Sequence, residues 1–258
     1  VLGSDLQIFQ QLFEIHEDGD LEGRIILHRQ NSIHQAAKNL EMEPKQVELF
    51  FKSAKELLYK ARNKRPLPFR DEKILTSWNA LMISAYARSG LILNNSHYVE
   101  VAGKAANFLM NKLFDNGKLF RTYKDNKALY FGYLDDYAFF IAALLDLYEA
   151  SGDILWFQKA IELDKILEKQ FEDQNHGGFF MTSHEHEKLL AREKPNYDSA
   201  EPSGNSIAIF NLYRLATFTS KDNYRKRADQ ALLAFSQSLE SHPMSLTEML
   251  LALDYRLD

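Results

Sequence analysis

Cysteine is absent from the 258 residues of this chain. Its absence excludes disulfide bonds, thiol catalysis, CxxC redox chemistry and cysteine-bound zinc within the chain. A chain without thiols suits a reducing compartment, and we predict a cytoplasmic location. The chain begins with Val1 rather than with methionine, so we interpret it as a fragment or a processed product.

An excess of positive charge is also missing. The chain has 31 Lys and Arg residues against 36 Asp and Glu residues, which gives a formal net charge of −5. Surfaces that bind nucleic acid or anionic membranes normally carry a positive excess. The sequence also lacks an apolar run of membrane-spanning length and a signal peptide. We therefore expect neither a nucleic-acid partner nor a membrane partner.

Three stretches of the chain share one plan, in which polar residues come directly before an apolar helix. They begin at residues 76–79 (TSWN), 134–136 (LDD) and 201–206 (EPSGNS). A helix that is apolar on every side is a buried helix. A one-sided helix follows each of them, near residues 98–114, 155–171 and 224–239. The alternation, with a period of roughly 60–70 residues, predicts an inner and an outer layer of helices.

The fold class predicted from this alternation is all-α with short β-hairpin inserts, as a partial (α/α)6 toroid built of helical hairpins. An open α-solenoid is the alternative, but its repeats are shorter and lack hairpin inserts. We expect such inserts at residues 115–123, with an Asn-Gly turn, and at 176–182. The pattern supplies about eight of the roughly twelve helices of a closed toroid, and we expect the others before Val1. Inner helices should lie side by side with their N-termini at one face.

The domain prediction is one helical-hairpin toroid over residues 1–258. Residues 1–68 form its lead-in and an outer helix, and residues 69–258 form the repeating inner and outer helices. Within the lead-in we expect a helix near 5–15, a short strand at 23–28 and a helix that begins at Pro44. Gly90 is expected to cap the first inner helix, and residues 245–255 to form a last apolar helix.

Three motifs carry a resemblance to a known family: residues 71–83 (DEKILTSWNALMI), 134–139 (LDDYAF) and 198–206 (DSAEPSGNS). The glycine–aromatic segment 177–180 (GGFF) lies between the last two. Over most of its length the chain resembles the thioredoxin-domain-containing proteins that include the animal spermatogenesis-associated protein and bacterial YyaL-type proteins. The resemblance implies an N-terminal thioredoxin-like domain, absent here, and a helical toroid similar to N-acylglucosamine 2-epimerases and six-hairpin glycosidases. Those epimerases rely on histidines in the barrel mouth, and the three inner-helix motifs here contain none.

The candidate catalytic residues are carboxylates, Asp136 together with Asp71 and Glu201. Glycoside chemistry needs two carboxyl groups on either side of the reacting bond, one of them kept protonated. The alternative for each aspartate is that it only caps a helix. For Asp136 we expect both roles. Asp136→Asn should then lose activity while costing well under ~1 kcal/mol of stability, since asparagine caps about as well as aspartate.

The candidate substrate-binding residues are aromatic, amide and charged side chains near the same helix starts. Aromatic rings can stack on sugars, and an arginine can clamp a carboxylate or phosphate. The alternatives are core packing for the rings and a structural ion pair with Asp198 for the arginine. Ser203 is interpreted as a cap rather than a nucleophile, and His184 with His186 as a solvated loop rather than a metal site. The set is Trp78, Asn79, Asp135, Tyr137, Arg192, Asp198 and Asn205.

Two functions remain open from the sequence. The first is a carbohydrate-active or sugar-binding toroid, either a hydrolase or an epimerase or isomerase that uses paired carboxylates. The alternative is a non-catalytic substrate-binding or protein-interaction module that serves a thioredoxin-like domain. The expected partners are a small-molecule or saccharide ligand and that absent domain, and we expect no cofactor and no metal.

Overall fold

The computed structural model of the protein describes residues 1–15, 19–188 and 190–257. It divides into two compact units, Val1–Asp71 and Glu72–Asp258. The division lies close to the predicted boundary between the lead-in and the helical repeats. The assignment of both units to one toroid domain stays a prediction.

The first unit contains the helices α1 (Leu6–Leu12), α2 (Ile33–Asn39) and α3 (Pro44–Arg62). α3 begins at Pro44 as predicted, because proline fixes a helical φ and lacks the N–H that a first turn leaves unpaired. The prediction of a strand at 23–28 is wrong. Among the described residues this segment forms no β-ladder with another strand. The backbone N–H of Ile26 donates to the side chain of Asp20 instead. α2 was not predicted.

The second unit combines helices with a small antiparallel sheet. Its helices are α4 (Thr76–Ile92), α5 (Ser96–Lys112), α6 (Leu134–Ser151), α7 (Ile154–Phe171), α8 (Gly204–Thr219), α9 (Asp222–Ala234), α10 (Ser236–Ser241) and α11 (Thr247–Leu257). Its strands are β1 (Ile74–Leu75), β2 (Phe114–Asp115), β3 (Lys118–Lys124) and β4 (Lys127–Phe131).

The helices of the second unit form the two predicted layers. α4, α6, α8 and α11 pack side by side as the inner layer, and α5, α7 and α9 each pack on the inner helix that precedes them. α6 is buried on nearly every side, with Phe139, Phe140 and Ile141 almost inaccessible to solvent. These rings and aliphatic side chains form the centre of the main core. None of the helices in the described ranges is long and apolar enough to cross a membrane.

β3 is the middle strand of the sheet and pairs with β1 and β4. Thr122 of β3 lies opposite Leu75 on one side and Leu129 on the other. The β2–β3 connection turns at Asn116 and Gly117, which have φ of +49° and +74°. Two positive φ values are typical of a type I′ hairpin turn, so the hairpin predicted at 115–123 is confirmed. The added strand β4 was not predicted.

The second predicted hairpin, at 176–182, forms no pair of strands among the described residues. An isolated antiparallel bridge between Glu172 and Phe179 closes a turn there instead. Gly90 is not a helix cap either. It lies inside α4, where an added Cβ would come within 2.6 Å of the Val99 side chain on α5. The glycine therefore permits close packing of two helices. The outer helix predicted at 224–239 breaks at Phe235 into α9 and α10.

Candidate functional site

The N-termini of the inner helices meet at one face of the second unit, as predicted. Asp136, in the first turn of α6, joins α6 to α4. Its Oδ1 accepts a hydrogen bond from the backbone N–H of Ser77 at 3.0 Å, and its Oδ2 accepts one from the N–H of Tyr133 at 3.0 Å. The first N–H groups of a helix have no partner within the helix, so this carboxylate satisfies donors on two helices at once. Its side chain is completely buried.

Asp135 faces α8 in the opposite direction. The backbone N–H of Gly204 is directed at its carboxylate and favours its ionised form. A Cβ added to Gly204 would lie 2.5 Å from Oδ1 of Asp135, so α8 can start at this distance from α6 only because residue 204 has no side chain. Asp135 is half-buried, and burial raises the pKa of its carboxyl above the ordinary value.

Asp198 makes the third connection, between α8 and α11. Its Oδ1 accepts the N–H of Ser203 at 2.7 Å and the hydroxyl of Ser206 at 3.0 Å. Its Oδ2 accepts the N–H of Glu248, at the start of α11, at 2.9 Å. Three aspartates therefore link four adjacent helix N-termini. We call Asp135, Asp136 and Asp198 the aspartate chain.

Arg121, on β3, forms an ion pair with Asp136 of the aspartate chain. Its Nη1 lies 3.3 Å from Oδ2 of Asp136, and its guanidinium stands over the ring of Tyr133 at 5.0 Å. Burial nevertheless raises the pKa of Asp136 to about 6, because the loss of hydration outweighs the hydrogen bonds and the charge of Arg121. Arg121 is not among the predicted site residues, since it belongs to an insert rather than to a helix start.

A cleft of about 380 Å³ opens beside Asp135 and Glu201. The indole N–H of Trp78 donates to Oε1 of Glu201 at 2.8 Å and holds this ring next to the carboxylate. Trp78 is 57% exposed, so the alternative that it packs in the core does not hold. Tyr197, which lines the cleft, is exposed as well. The cleft is therefore lined by three carboxylates, those of Asp135, Glu193 and Glu201, and by the exposed Tyr197 ring. The exposed Trp78 ring lies beside it, on Glu201.

Two of the predicted substrate-binding residues, Asn79 and Asn205, bond to the protein backbone. Asn79 donates to the carbonyl of Leu75 within the first turn of α4. Asn205, fully buried, bonds to both backbone groups of Phe179 and to the carbonyl of Pro195. Each of these amides holds a backbone segment in place.

Two other predicted residues of the second unit, Tyr137 and Arg192, do not line the cleft either. The Tyr137 ring is buried, and its hydroxyl oxygen accepts the N–H of Leu119 at 2.9 Å. Arg192 stacks on Phe180 at 4.1 Å and donates to two backbone carbonyls instead of pairing with Asp198. Asp71 is an exposed residue at the end of the first unit, and its catalytic role stays a prediction. Within the described ranges, no cluster of three or more His, Cys, Asp and Glu side chains is arranged to hold a metal.

Comparison with known proteins finds no matching family model. The chain is 35% identical over 246 residues to spermatogenesis-associated protein 20 of Homo sapiens, a match that covers 91% of this chain and 31% of that protein. It is 34% identical over 249 residues to the uncharacterized protein B0495.5 of Caenorhabditis elegans, which covers 91% of this chain and 33% of that protein. The chain thus spans about a third of the length of these relatives. A thioredoxin-like domain stays a prediction.

Solved structures of similar fold are sugar-processing enzymes. Cellobiose 2-epimerase from Spirochaeta thermophila aligns with a TM-score of 0.54 at 23% identity, over 63% of this chain and 43% of the enzyme. The GH76 α-mannanase of Bacteroides thetaiotaomicron aligns with a TM-score of 0.53 at 16% identity, over 67% and 47%. At these identities the likeness concerns the fold. It confirms a partial (α/α)6 toroid of helical hairpins.

Proposed function

We propose that the cleft beside Asp135 and Glu201 binds a saccharide, and that this chain is the carbohydrate-active part of a longer protein. The observation that carries the proposal is the exposed Trp78 ring, fixed by its hydrogen bond to Glu201 next to a half-buried aspartate. An exposed indole presents an apolar face, and sugar rings offer it a flat apolar C–H surface. Carboxylates beside that ring accept hydrogen bonds from sugar hydroxyls.

Asp135 and Glu201, two of the three carboxylates that line the cleft, suit general acid–base chemistry. Burial and the negative charge of Glu201 both raise the pKa of Asp135, which favours a protonated carboxyl that can donate a proton to a glycosidic oxygen. Glu201 is partly exposed and keeps Oε2 available to accept a proton from an attacking water. In this proposal Asp136 is a positioning residue, because it is buried and both its oxygens accept hydrogen bonds from the protein.

One solved structure of this fold adds support. The α-1,6-mannanase GH76A of Salegentibacter sp. aligns with a TM-score of 0.52 at 16% identity, over 72% of this chain and 54% of the enzyme. That enzyme is present in complex with α-1,6-mannotriose, as an inactive variant in which two consecutive aspartates are changed to asparagine. Asp135 and Asp136 are likewise consecutive. We therefore take α-1,6-mannotriose and cellobiose as the first probes.

The test is calorimetric titration of each saccharide into the complete 258-residue chain and into the variant Trp78→Ala. We expect Trp78→Ala to weaken binding about tenfold or more, as stacked aromatic anchors do elsewhere. Tyr59→Ala is the matched control, because Tyr59 is an exposed ring on α3 in the first unit. Equal binding by Trp78→Ala and the parent chain would contradict the proposal.

The catalytic part is tested on any saccharide that binds. Asp135→Asn and Glu201→Gln should lower turnover by about 10²–10⁴-fold and leave the dissociation constant nearly unchanged, since they remove proton transfer and keep the shape of the side chain. Products are followed by NMR, which distinguishes hydrolysis from epimerisation. Saccharide binding without turnover in the parent chain would favour the alternative, a substrate-binding module that serves a thioredoxin-like domain.

A further inference from the structure

A second cleft in the same unit has the opposite charge. It measures about 370 Å³ and lies between the start of β3, the C-terminal half of α7 and the segment 183–185. Lys118, Lys165 and Lys169 line it, above a floor that includes Phe131 and Tyr137. It shares no lining residue with the cleft beside Glu201. The cleft is basic although the whole chain carries a net charge of −5.

Only one of the three lysines has its charge balanced within the cleft. Nζ of Lys118 lies 2.7 Å from Oε2 of Glu185 and 4.9 Å from the centre of the Phe131 ring. Lys165 and Lys169 are exposed and one helical turn apart on α7. Among the described residues, neither of them has a carboxylate within ion-pair distance. The cleft therefore holds two uncompensated positive charges that repel each other.

The acidic residues of α7, and Glu172 directly after it, form ion pairs with cations other than Lys165 and Lys169. Glu162 pairs with Lys159 at 2.8 Å. Arg227 of α9 takes the remaining three, with 2.9 Å to Asp164, 3.6 Å to Glu168 and 2.7 Å to Glu172. Lys165 and Lys169 are therefore not the exposed half of a helix-surface ion-pair pattern. Their charge points to a partner from outside the chain.

The floor of the cleft contains a buried hydroxyl group. The Tyr137 side chain is only 4% exposed, and its oxygen already accepts the N–H of Leu119. Burial raises the pKa of this phenol to about 12, so the hydroxyl keeps its hydrogen at neutral pH. That hydrogen has no acceptor among the described residues, and a buried donor without an acceptor is unusual. An acceptor atom of a bound ligand would satisfy it.

We propose that this cleft binds a phosphate monoester of a small organic molecule. Such an ester carries a charge of about −1.5 to −2 at neutral pH, which matches the two uncompensated lysines. Ammonium groups on flexible stems bind phosphate as point charges. The cleft is larger than phosphate alone requires and lies in the size range of small-molecule pockets, so it has room for an organic body on the Phe131 and Tyr137 rings. This proposal is independent of saccharide binding beside Glu201.

The test is calorimetric titration of glucose 6-phosphate into the complete chain, with glucose and inorganic phosphate as comparison ligands. Glucose 6-phosphate carries a phosphate monoester on an uncharged body, so it probes both parts of the proposal. We expect saturable binding of one equivalent, with inorganic phosphate weaker and glucose undetectable in this cleft. Binding should weaken as salt is added, because the contacts are electrostatic.

Two variants identify the site. Lys165→Gln with Lys169→Gln should weaken binding about tenfold or more, because two full charges leave one cleft. Lys165→Arg with Lys169→Arg keeps the charge and should retain binding, which separates loss of charge from loss of fold. Lys159→Gln is the matched control on the same helix, since Lys159 already pairs with Glu162.

Three outcomes would overturn the proposal. One is the absence of saturable binding at millimolar glucose 6-phosphate. Another is a loss in Lys159→Gln equal to that of the double glutamine variant, which would indicate a general surface effect. The third is inorganic phosphate binding as tightly as the ester, which would show that the organic body is not recognised.

Discussion

The carboxylate of Asp136 accepts hydrogen bonds from backbone N–H groups at the starts of two helices. Replacing it with an amide therefore removes more than a charge. One oxygen accepts the N–H of Ser77 and the other that of Tyr133. Asparagine offers a single acceptor oxygen and places an NH₂ group where the second oxygen was. One of the two N–H donors would then face another donor in a buried position.

At the residue scale we therefore expect Asp136→Asn to lower the free energy of unfolding by about 1–3 kcal/mol, the usual cost of an unsatisfied buried donor. This replaces the sequence-based expectation of a near-neutral substitution, which counted one cap instead of two. Urea unfolding at neutral pH measures the change. Asp153→Asn is the control, because among the described residues the carboxylate of Asp153 accepts one backbone N–H, that of Leu155, at an exposed helix start. Equal and small changes in both variants would contradict a shared cap.

The raised pKa of Asp136 gives a second prediction at this scale. Its folded pKa of about 6 exceeds the ordinary aspartate value of 3.8, so the folded protein binds this proton more tightly than the unfolded chain does. The contribution of this group to stability therefore increases as the pH falls from about 6 toward 4, and it is lost as the pH rises through that window. The destabilisation by Asp136→Asn should then grow by up to about 2 kcal/mol between neutral pH and pH ~4.5.

Unfolding curves of parent and variant across this pH range provide the measurement. Titrating groups that do not interact with Asp136 cancel when the variant is subtracted from the parent. A difference that shrinks on acidification would show that the pKa of Asp136 is lowered in the folded state.

Part of the site could be predicted at this scale. Polar residues before an apolar helix indicate caps, and Ser203 indeed accepts the N–H of Ser206. The partners could not be predicted, because Asp136 bonds to a helix 59 residues earlier in the chain. Arg121 could not be identified as a site residue from the sequence for the same reason. Its role depends on how the sheet packs against α6. The exposure of the Trp78 ring could not be predicted either, because it follows from tertiary structure alone.

At the element scale, the spacing between α6 and α8 depends on Gly204. We expect Gly204→Ala to lower the free energy of unfolding by about 1–3 kcal/mol, because its Cβ would come too close to Asp135 and Leu134. Gly103→Ala is the control within α5, where the nearest atom to the added Cβ is 3.8 Å away. That variant should be neutral or up to about 1 kcal/mol more stable, since alanine favours a helix interior. Thermal unfolding of both variants measures the two changes in stability. Equal changes would argue against a close approach of the helices at Gly204.

Helix positions were predictable from periodicity, but only one of the two predicted inserts with glycine was. The Asn116–Gly117 turn was found because its residue types match a hairpin. Gly177 and Gly178 suggested a second hairpin and serve a different purpose. A Cβ on Gly177 would lie 2.4 Å from the carbonyl oxygen of Gln230 on α9. These glycines allow a loop to approach an outer helix, which a local pattern does not distinguish from a turn.

At the scale of the whole molecule, each unit has its own buried core. All groups assigned to the saccharide cleft and to the phosphate cleft lie in the second unit. We therefore expect residues 72–258 alone to unfold cooperatively and to keep the saccharide affinity of the complete chain. Circular dichroism melting and calorimetric titration test this. A fragment that melts cooperatively but no longer binds would show that the first unit contributes to the site.

The aspartate chain also has a consequence for solvent exchange. The amide protons of Ser77 and Glu248 belong to first helical turns, where such protons normally exchange with water almost freely. Here each is held by a carboxylate from outside its own helix. Both should exchange slowly in deuterated solvent, at rates set by opening of the helix layer rather than by fraying of single ends. Loss of Asp198 should speed exchange at Glu248 while leaving Ser77 protected, so deuterium uptake would resolve the connections one by one.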